Sequence, residues 1–220
     1  MIDCIAQPQM NTINQETYED IATEFSETRS YVWKCIKDFT LFLQERKDTD
    51  PSILEIGCGN GKNMEYVKNR IPCNIIGVDT CHNFLSICDK KHLQTQYGNS
   101  TCLPFPDNSF DYILCIAMFH HLLTDEDRNA SMKEMLRVMK PNSYGIITCW
   151  SSIQHETSNF QFHEGINIVP WKGRKNINKD RYYYVYSESM FREYFQAFSS
   201  IRIVNIYTEF GNWVLLFQKN

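Results

Sequence analysis

Apolar residues near the start of the chain recur every three to four positions: Ile21 and Phe25, then Val32, Cys35, Ile36, Phe39, Phe42 and Leu43. That spacing predicts helix between 18 and 46. Asp48-Thr-Asp-Pro51 ends it, because a proline disfavours helical backbone in the residue before it. From there the period changes. Short apolar runs predict strands at 52–56, 74–78, 93–97, 112–118 and 144–150, and periodic segments predict helices at 60–70, 83–91 and 124–140. Thr124 with Asp127 resembles a capping box with the shorter acid, and Pro141-Asn142 is expected to end that helix. Strands alternating with helices predict an α/β fold, a mostly parallel sheet with helices on both faces. The last two strands, 200–208 and 213–218, are joined through Phe210-Gly211-Asn212, a hairpin signal that makes one strand antiparallel. An insert at 151–199 is expected above the sheet, on the side where open α/β folds bind ligands. Residues 1–17 are polar and poor in pattern, and are expected to be a mobile segment before a single domain at 18–220.

Composition narrows the classes. At 220 residues, 43% hydrophobic and 22% charged, the chain is expected to be globular rather than disordered. No run approaches ~18 apolar residues, so no membrane span is expected. The first residues have neither the basic nor the apolar region of a secretory signal. Nine cysteines show no CxxC spacing and are read as reduced, mostly buried thiols of an intracellular protein, with no metal site. A net charge of −4 disfavours a protein that lives by non-specific phosphate binding. The charge is unevenly placed, however. Residues 1–30 hold six acidic side chains against Arg29, and 171–202 hold seven basic against three acidic. Such a local basic region can hold an anionic polymer.

The chemistry-bearing run is Ile53-Leu-Glu-Ile-Gly-Cys-Gly-Asn-Gly61, a strand entering a glycine-rich turn that opens a helix. Gly57, Gly59 and Gly61 allow a sharp bend and close approach of a ligand. Glu55, two residues earlier, is placed to hold an ammonium group. Asp79 ends the next strand, where a carboxylate accepts from a ribose diol. The dinucleotide fingerprint would place Gly or Ala at 62, where this chain has Lys62. An ammonium, a ribose and no pyrophosphate fit S-adenosylmethionine better than NAD. The competing reading is a tight strand–helix turn with no ligand.

With these residues the chain resembles the class I S-adenosylmethionine-dependent methyltransferases over about 50–150 and 200–220. The resemblance implies a Rossmann-like seven-stranded sheet with a reversed last strand, and S-adenosylhomocysteine as product. It implies that Asn99 accepts from the adenine amine and that Ile116 lies against the cofactor. Further segments resemble a narrower family, the eukaryotic tRNA methyltransferases that esterify the carboxymethyl group of wobble uridine. They are Ile21-Ala-Thr-Glu-Phe-Ser-Glu-Thr-Arg29 with Trp33, Ile116-Ala-Met-Phe-His-His121 with Arg128, Cys149-Trp150, His163-Glu-Gly165, Val169-Pro-Trp171 and Arg181-Tyr-Tyr-Tyr-Val-Tyr186. This implies a methyl ester formed on 5-carboxymethyluridine in the tRNA anticodon loop. It also implies a small zinc-binding activator subunit as heterodimer partner, and a cytoplasmic location that extends to the nucleus. The short edge strand at 93–97 is suited to accept such a partner.

A carboxylate acceptor is already ionised at neutral pH, so the reaction needs orientation rather than a general base. The expected tethers are Arg29, His120 and Arg128, and the expected substrate contacts are Trp150, Trp171, Arg181 and Tyr184. Each has a plainer reading. Arg29 can pair with an acidic neighbour, and Arg128 can be a solvated helix residue. The tyrosines at 182–186 can be a strand edge, and the tryptophans packing. If 116–121 is extended, His120 and His121 point opposite ways; His120 is assigned to the pocket. Two other functions stay open: methylation of a small molecule such as a quinone or sterol precursor, and a non-catalytic RNA-binding relative.

Overall fold

In the computed structural model, residues 7–154, 161–173 and 179–220 are described. Seven strands form one sheet: β1 (Ser52–Ile56), β2 (Asn74–Asp79), β3 (Thr95–Tyr97), β4 (Phe110–Cys115), β5 (Met139–Trp150), β8 (Ile201–Glu209) and β9 (Asn212–Lys219). Their order is β3-β2-β1-β4-β5-β9-β8. All neighbouring pairs from β3 to β5 are parallel, and β9 runs antiparallel between β5 and β8. The expected Rossmann-like sheet with a reversed last strand is borne out. Apart from Ser52 and Glu55, β1 is apolar on both faces, because helices cover both. Ile53 packs with α2 (Lys34–Arg46) and α3 (Lys62–Lys68), and Leu54 packs with α5 (Asp125–Val138) and α6 (Glu188–Gln196). α4 (His82–Lys90) follows β2. The expected cap at Thr124 is present: its Oγ1 accepts from Asp127 N–H at 3.0 Å. α5 ends at Val138, and the chain enters β5 at Met139 before reaching Pro141.

Two expectations are corrected. The helix expected across 18–46 is two helices, α1 (Gln7–Glu27) and α2, parted at 28–33. α1 also takes in most of the segment expected to be mobile. Within it Met10, Asn14 and Thr17 are buried, and the Asn14 amide makes two hydrogen bonds to Tyr182 backbone, at 2.7 and 2.9 Å. Residues 1–6 of that segment lie outside the described residues. The insert forms a two-stranded antiparallel arm, β6 (Gly165–Pro170) with β7 (Asp180–Val185), and then α6. Tyr186 joins the arm to the sheet: its N–H donates to Trp150 O, and its carbonyl accepts from Ser152 N–H.

Candidate active site

A cavity of about 890 Å³ opens at the carboxyl ends of β1, β2, β4 and β5, roofed by α1 and flanked by β7. Its position follows from the sheet: strand order reverses on either side of β1, and ligands of open α/β folds lie at that switch point. The loops after each strand supply the walls.

Gly57, Gly59 and Gly61 all have positive φ (69°, 51° and 71°). At Gly57 a Cβ would strike the Met118 side chain at 2.3 Å, whereas at Gly59 it would meet nothing within 4 Å. The first glycine is therefore required for packing, and the second keeps a floor of the cavity bare. Asn60 fastens this loop to the end of α1: its Nδ2 donates to Ser26 Oγ (3.1 Å) and Arg29 O (3.3 Å).

Glu55 is buried at the cavity floor. Oε1 accepts from Asn63 Nδ2 at 2.7 Å, and Oε2 has no hydrogen-bond partner. Burial pushes this carboxyl up to about 7, against the opposing pull of the Asn63 hydrogen bond and Lys62. Asp79 accepts one backbone N–H on each oxygen, from Gly59 (2.8 Å) and Cys81 (2.9 Å), so each oxygen keeps a second lone pair. The orphan carboxylate oxygen, the two pre-oriented acceptors and the bare backbone at Gly59 fit the ammonium, the ribose diol and the close approach of S-adenosylmethionine. Ile116 lines the cavity. Asn99 also lines it, but its Oδ1 already accepts from Thr101 N–H and Oγ1–H, both at 3.0 Å. The acceptor role expected of Asn99 is therefore corrected: what it offers is an amide donor, suited to a ring nitrogen.

The acceptor end is built from β7, α1 and the 3₁₀ turn Phe119–His121. One directed chain of hydrogen bonds runs through it. Arg181 Nη1 donates to Tyr183 Oη (2.9 Å), Tyr183 and Tyr18 hydroxyls lie 3.1 Å apart, and Tyr18 Oη is 3.1 Å from His121 Nε2. His121 Nδ1 lies 3.1 Å from Tyr182 O, which can only accept, so Nδ1 donates and Nε2 receives the Tyr18 proton. The order of donors is thus fixed. Burial holds His121 down at about 4 and His120 well below its ordinary range, with the Arg181 charge adding to both; both rings are neutral at pH 7. Trp150 stacks on Tyr183, centroids 3.9 Å apart and planes 4° apart.

The expected site residues divide. Arg29, His120, Trp150 and Arg181 border the cavity. Arg29 is exposed, lies 5.0 Å above the Phe25 ring and forms no ion pair with a described acid. The premise that 116–121 is extended fails, and both histidines line the cavity. His120 has backbone partners, Trp150 N–H on Nδ1 at 3.2 Å and the Ala117 backbone, so it clips the β4 loop to β5 instead of standing free as a tether. Arg128 is buried outside the cavity. It donates to Leu122 O (2.8 Å) and Asp125 Oδ1 (2.5 Å) and lies 3.8 Å over the Tyr184 ring. Arg128 and Tyr184 brace each other, and the tether and base-contact roles expected of them are corrected. Trp171 packs behind the wall, between Phe25 and the Arg181 guanidinium. Sequence reasoning missed Tyr18, kept His120 over His121, and chose Tyr184 from the tyrosine run rather than Tyr183. Strand alternation could have found Tyr183, since it shares a face with Arg181 and Tyr184 does not.

Sheet order, switch-point cavity and glycine floor together define a class I S-adenosylmethionine-dependent methyltransferase, and S-adenosylmethionine is its cofactor. The profile described as "Methyltransferase domain" matches residues 54–147. A putative methyltransferase of Encephalitozoon cuniculi is 32% identical over 174 residues, 77% of this chain and 78% of that protein. An Arabidopsis thaliana protein named tRNA (carboxymethyluridine(34)-5-O)-methyltransferase is 34% identical over 141 residues, 64% of this chain and 33% of that protein. Among solved structures, a putative methyltransferase in complex with the Haloferax volcanii Trm112 activator superposes with a TM-score of 0.66 at 14% identity, covering 94% of this chain and 97% of that one. The chain belongs to the S-adenosylmethionine-dependent methyltransferase family. It spans 33%, 40% and 32% of the length of three of its curated relatives.

Proposed function

We propose that this chain transfers a methyl group from S-adenosylmethionine to the carboxylate of 5-carboxymethyluridine at the tRNA wobble position, giving the methyl ester. The observation that carries this reading is Arg181. Its side chain is buried in the cavity wall, it forms no ion pair among the described residues, and its Nε has no hydrogen-bond partner. Its neighbours Tyr18, Tyr183, His120 and His121 are all uncharged at pH 7. A buried, uncompensated guanidinium is costly until an anion pairs with it. An acceptor carboxylate is such an anion, and the name of the Arabidopsis relative supports it.

When bound, S-adenosylmethionine supplies an electrophilic methyl group on a sulfonium. The chain's own residues bind and orient. Glu55 and Asp79 fix the cofactor's two polar ends. Arg181, held by Tyr183 against Trp171, grips the acceptor from one side, which leaves an oxygen free to attack. Arg29 adds positive charge at the rim. Holding two reactants in line can lower a barrier by ~7–11 kcal/mol. Neutral histidines suit an acceptor that has no proton to lose. We propose in addition that a small zinc-binding activator docks on the outer edge of β3, the existence of such a partner being supported by the complex of a Haloferax volcanii Trm112 activator with a putative methyltransferase, and that the protein works in the cytoplasm and the nucleus.

The test offers methyl-labelled S-adenosylmethionine to tRNA from cells lacking this activity, with the co-purified activator, and then treats the product with mild base. Label released as methanol is the expected result, and Arg181→Ala should lose it while keeping S-adenosylhomocysteine affinity. Base-stable label in tRNA would reject the ester. No label at all, with tight cofactor binding, would point to a small-molecule acceptor.

A further inference from the structure

The turn between β8 and β9 holds a residue that packing does not explain. Glu209 pairs with Asn212, so the loop is the two residues Phe210 and Gly211, both at positive φ (46° and 71°). Two-residue hairpin turns of this kind favour Asn-Gly, because Asn tolerates the left-handed region at its first position. Here that position is a phenylalanine, for which such a φ is a strained outlier. The ring gains no core contact in return: Phe210 is 71% exposed, the highest among the exposed large apolar residues that the structure describes.

The backbone is held in this shape by polar groups other than the ring. Asn212 Nδ2 donates to Phe210 O (2.9 Å), Gln154 Nε2 to Gly211 O (3.1 Å), and Ser151 N–H to Gly211 O (2.9 Å). Strain that its surroundings over-determine marks functional positions. The place matters too. Phe210 lines the cavity mouth, two residues from Asn212, which pairs across the sheet with Trp150. Trp150 stacks on Tyr183 inside and meets Phe162 with ring centroids 4.8 Å apart. Phe210 therefore stands at the acceptor end, remote from Asp79 and the cofactor's ribose.

We infer that Phe210 is an acceptor-positioning residue: its exposed ring is the platform on which a nucleobase of the acceptor RNA stacks at the cavity mouth. The inference rests on the reading that the acceptor is an RNA. Base-on-ring stacking is sequence-tolerant and needs a rigid, exposed aromatic, which this turn presents.

Phe210→Asn tests it, since the substitution restores the residue the turn prefers and removes only the ring. With the activator-bound enzyme and undermodified tRNA, KM for tRNA should rise roughly 5- to 150-fold, the span of one lost stack. kcat and S-adenosylhomocysteine affinity should stay unchanged, the melting temperature should not fall, and Phe210→Trp should restore KM. An unchanged KM, or a loss confined to kcat, would overturn the inference. If the wild-type enzyme methylates no tRNA, the RNA reading fails by itself. Direct binding of the same tRNA then decides on Phe210: weaker binding by Phe210→Asn supports the platform, and equal binding ends it.

Discussion

Glu55 carries a carboxyl group that the fold holds against its own ionisation. Burial raises it from 4.5 to about 7, so the folded chain favours the protonated form. Its contribution to stability is complete below 4.5 and is lost as pH rises through 7. The cofactor's ammonium reverses that preference, because it stabilises the carboxylate. S-adenosylhomocysteine binding should therefore release a proton between 4.5 and 7 and tighten as pH rises across that window. Calorimetry in buffers of different ionisation heat measures the release. Glu55→Gln should abolish it, and an undiminished release would move the proton to Asp79, which burial also raises. Arg128 calls for the opposite kind of test. Its guanidinium satisfies Leu122 O and covers Tyr184, so Arg128→Ala should cost about 1–3 kcal/mol of stability while sparing cofactor affinity and turnover below the melting point. A loss of turnover in a fully folded variant would return Arg128 to the site. These residues also show what was legible. Glu55, Gly59 and Asp79 were readable because one contiguous motif fixes their geometry. The acceptor side was half readable: Arg181 was found, but the partner chosen, Tyr184, lies on the other face of the strand.

At the scale of the element, α1 is where sequence pattern and structure part. Hydrophobic periodicity sees Ile21 and Phe25 and little before them. Apart from Met10 and Ile13, the first half of the helix is held by polar side chains: Asn14 binds the Tyr182 backbone, Thr17 Oγ1 donates to Asp180 O, and Asn11 Nδ2 donates to the Asp127 carboxylate. Further along, Glu19 accepts from the His82 and Asn83 N–H groups that start α4. A helix recruited this way leaves no apolar stripe to read. It is nonetheless the roof of the cavity, and it carries Tyr18. Asn14→Ala removes two buried hydrogen bonds and should destabilise the roof by about 1–3 kcal/mol. Hydrogen exchange should quicken in α1 and β7 and stay slow in β1 and β4. Unchanged exchange in α1 would mean that Asn14 does not hold it. Of the arm β6–β7 only the tyrosine run of β7 was read as a strand edge, for a related reason. Its strands pair with each other and touch the sheet through Tyr186 and the Trp150–Tyr183 stack without joining it, so nothing in the α/β alternation announces them.

For the whole molecule, a mostly parallel sheet with an antiparallel end was legible, because buried parallel strands need apolar runs and a hairpin returns a strand antiparallel; the strand order itself comes from the structure. The same order leaves two open edges. β8 is long, and its pairing with β9 is broken by a register shift between Ile203 and Asn205, an irregularity that discourages edge pairing. β3 is three residues long and lies beside the Gly98–Thr101 loop that lines the cofactor cavity. Its inner face is spoken for: Gln94 O accepts from Gly77 N–H, and Gly98 N–H donates to Asp79 O. By alternation Thr95 and Tyr97 turn their backbone groups outward. The proposed activator would add a strand there and would brace the loop that holds Asn99. Tyr97→Pro removes one outward N–H and no bond to β2. It should abolish co-purification with the activator and lower soluble yield, while the isolated chain keeps its S-adenosylhomocysteine affinity. Activator that still co-purifies with Tyr97→Pro in full amount would place the partner elsewhere on the molecule and leave the β3 edge as a free end of the sheet.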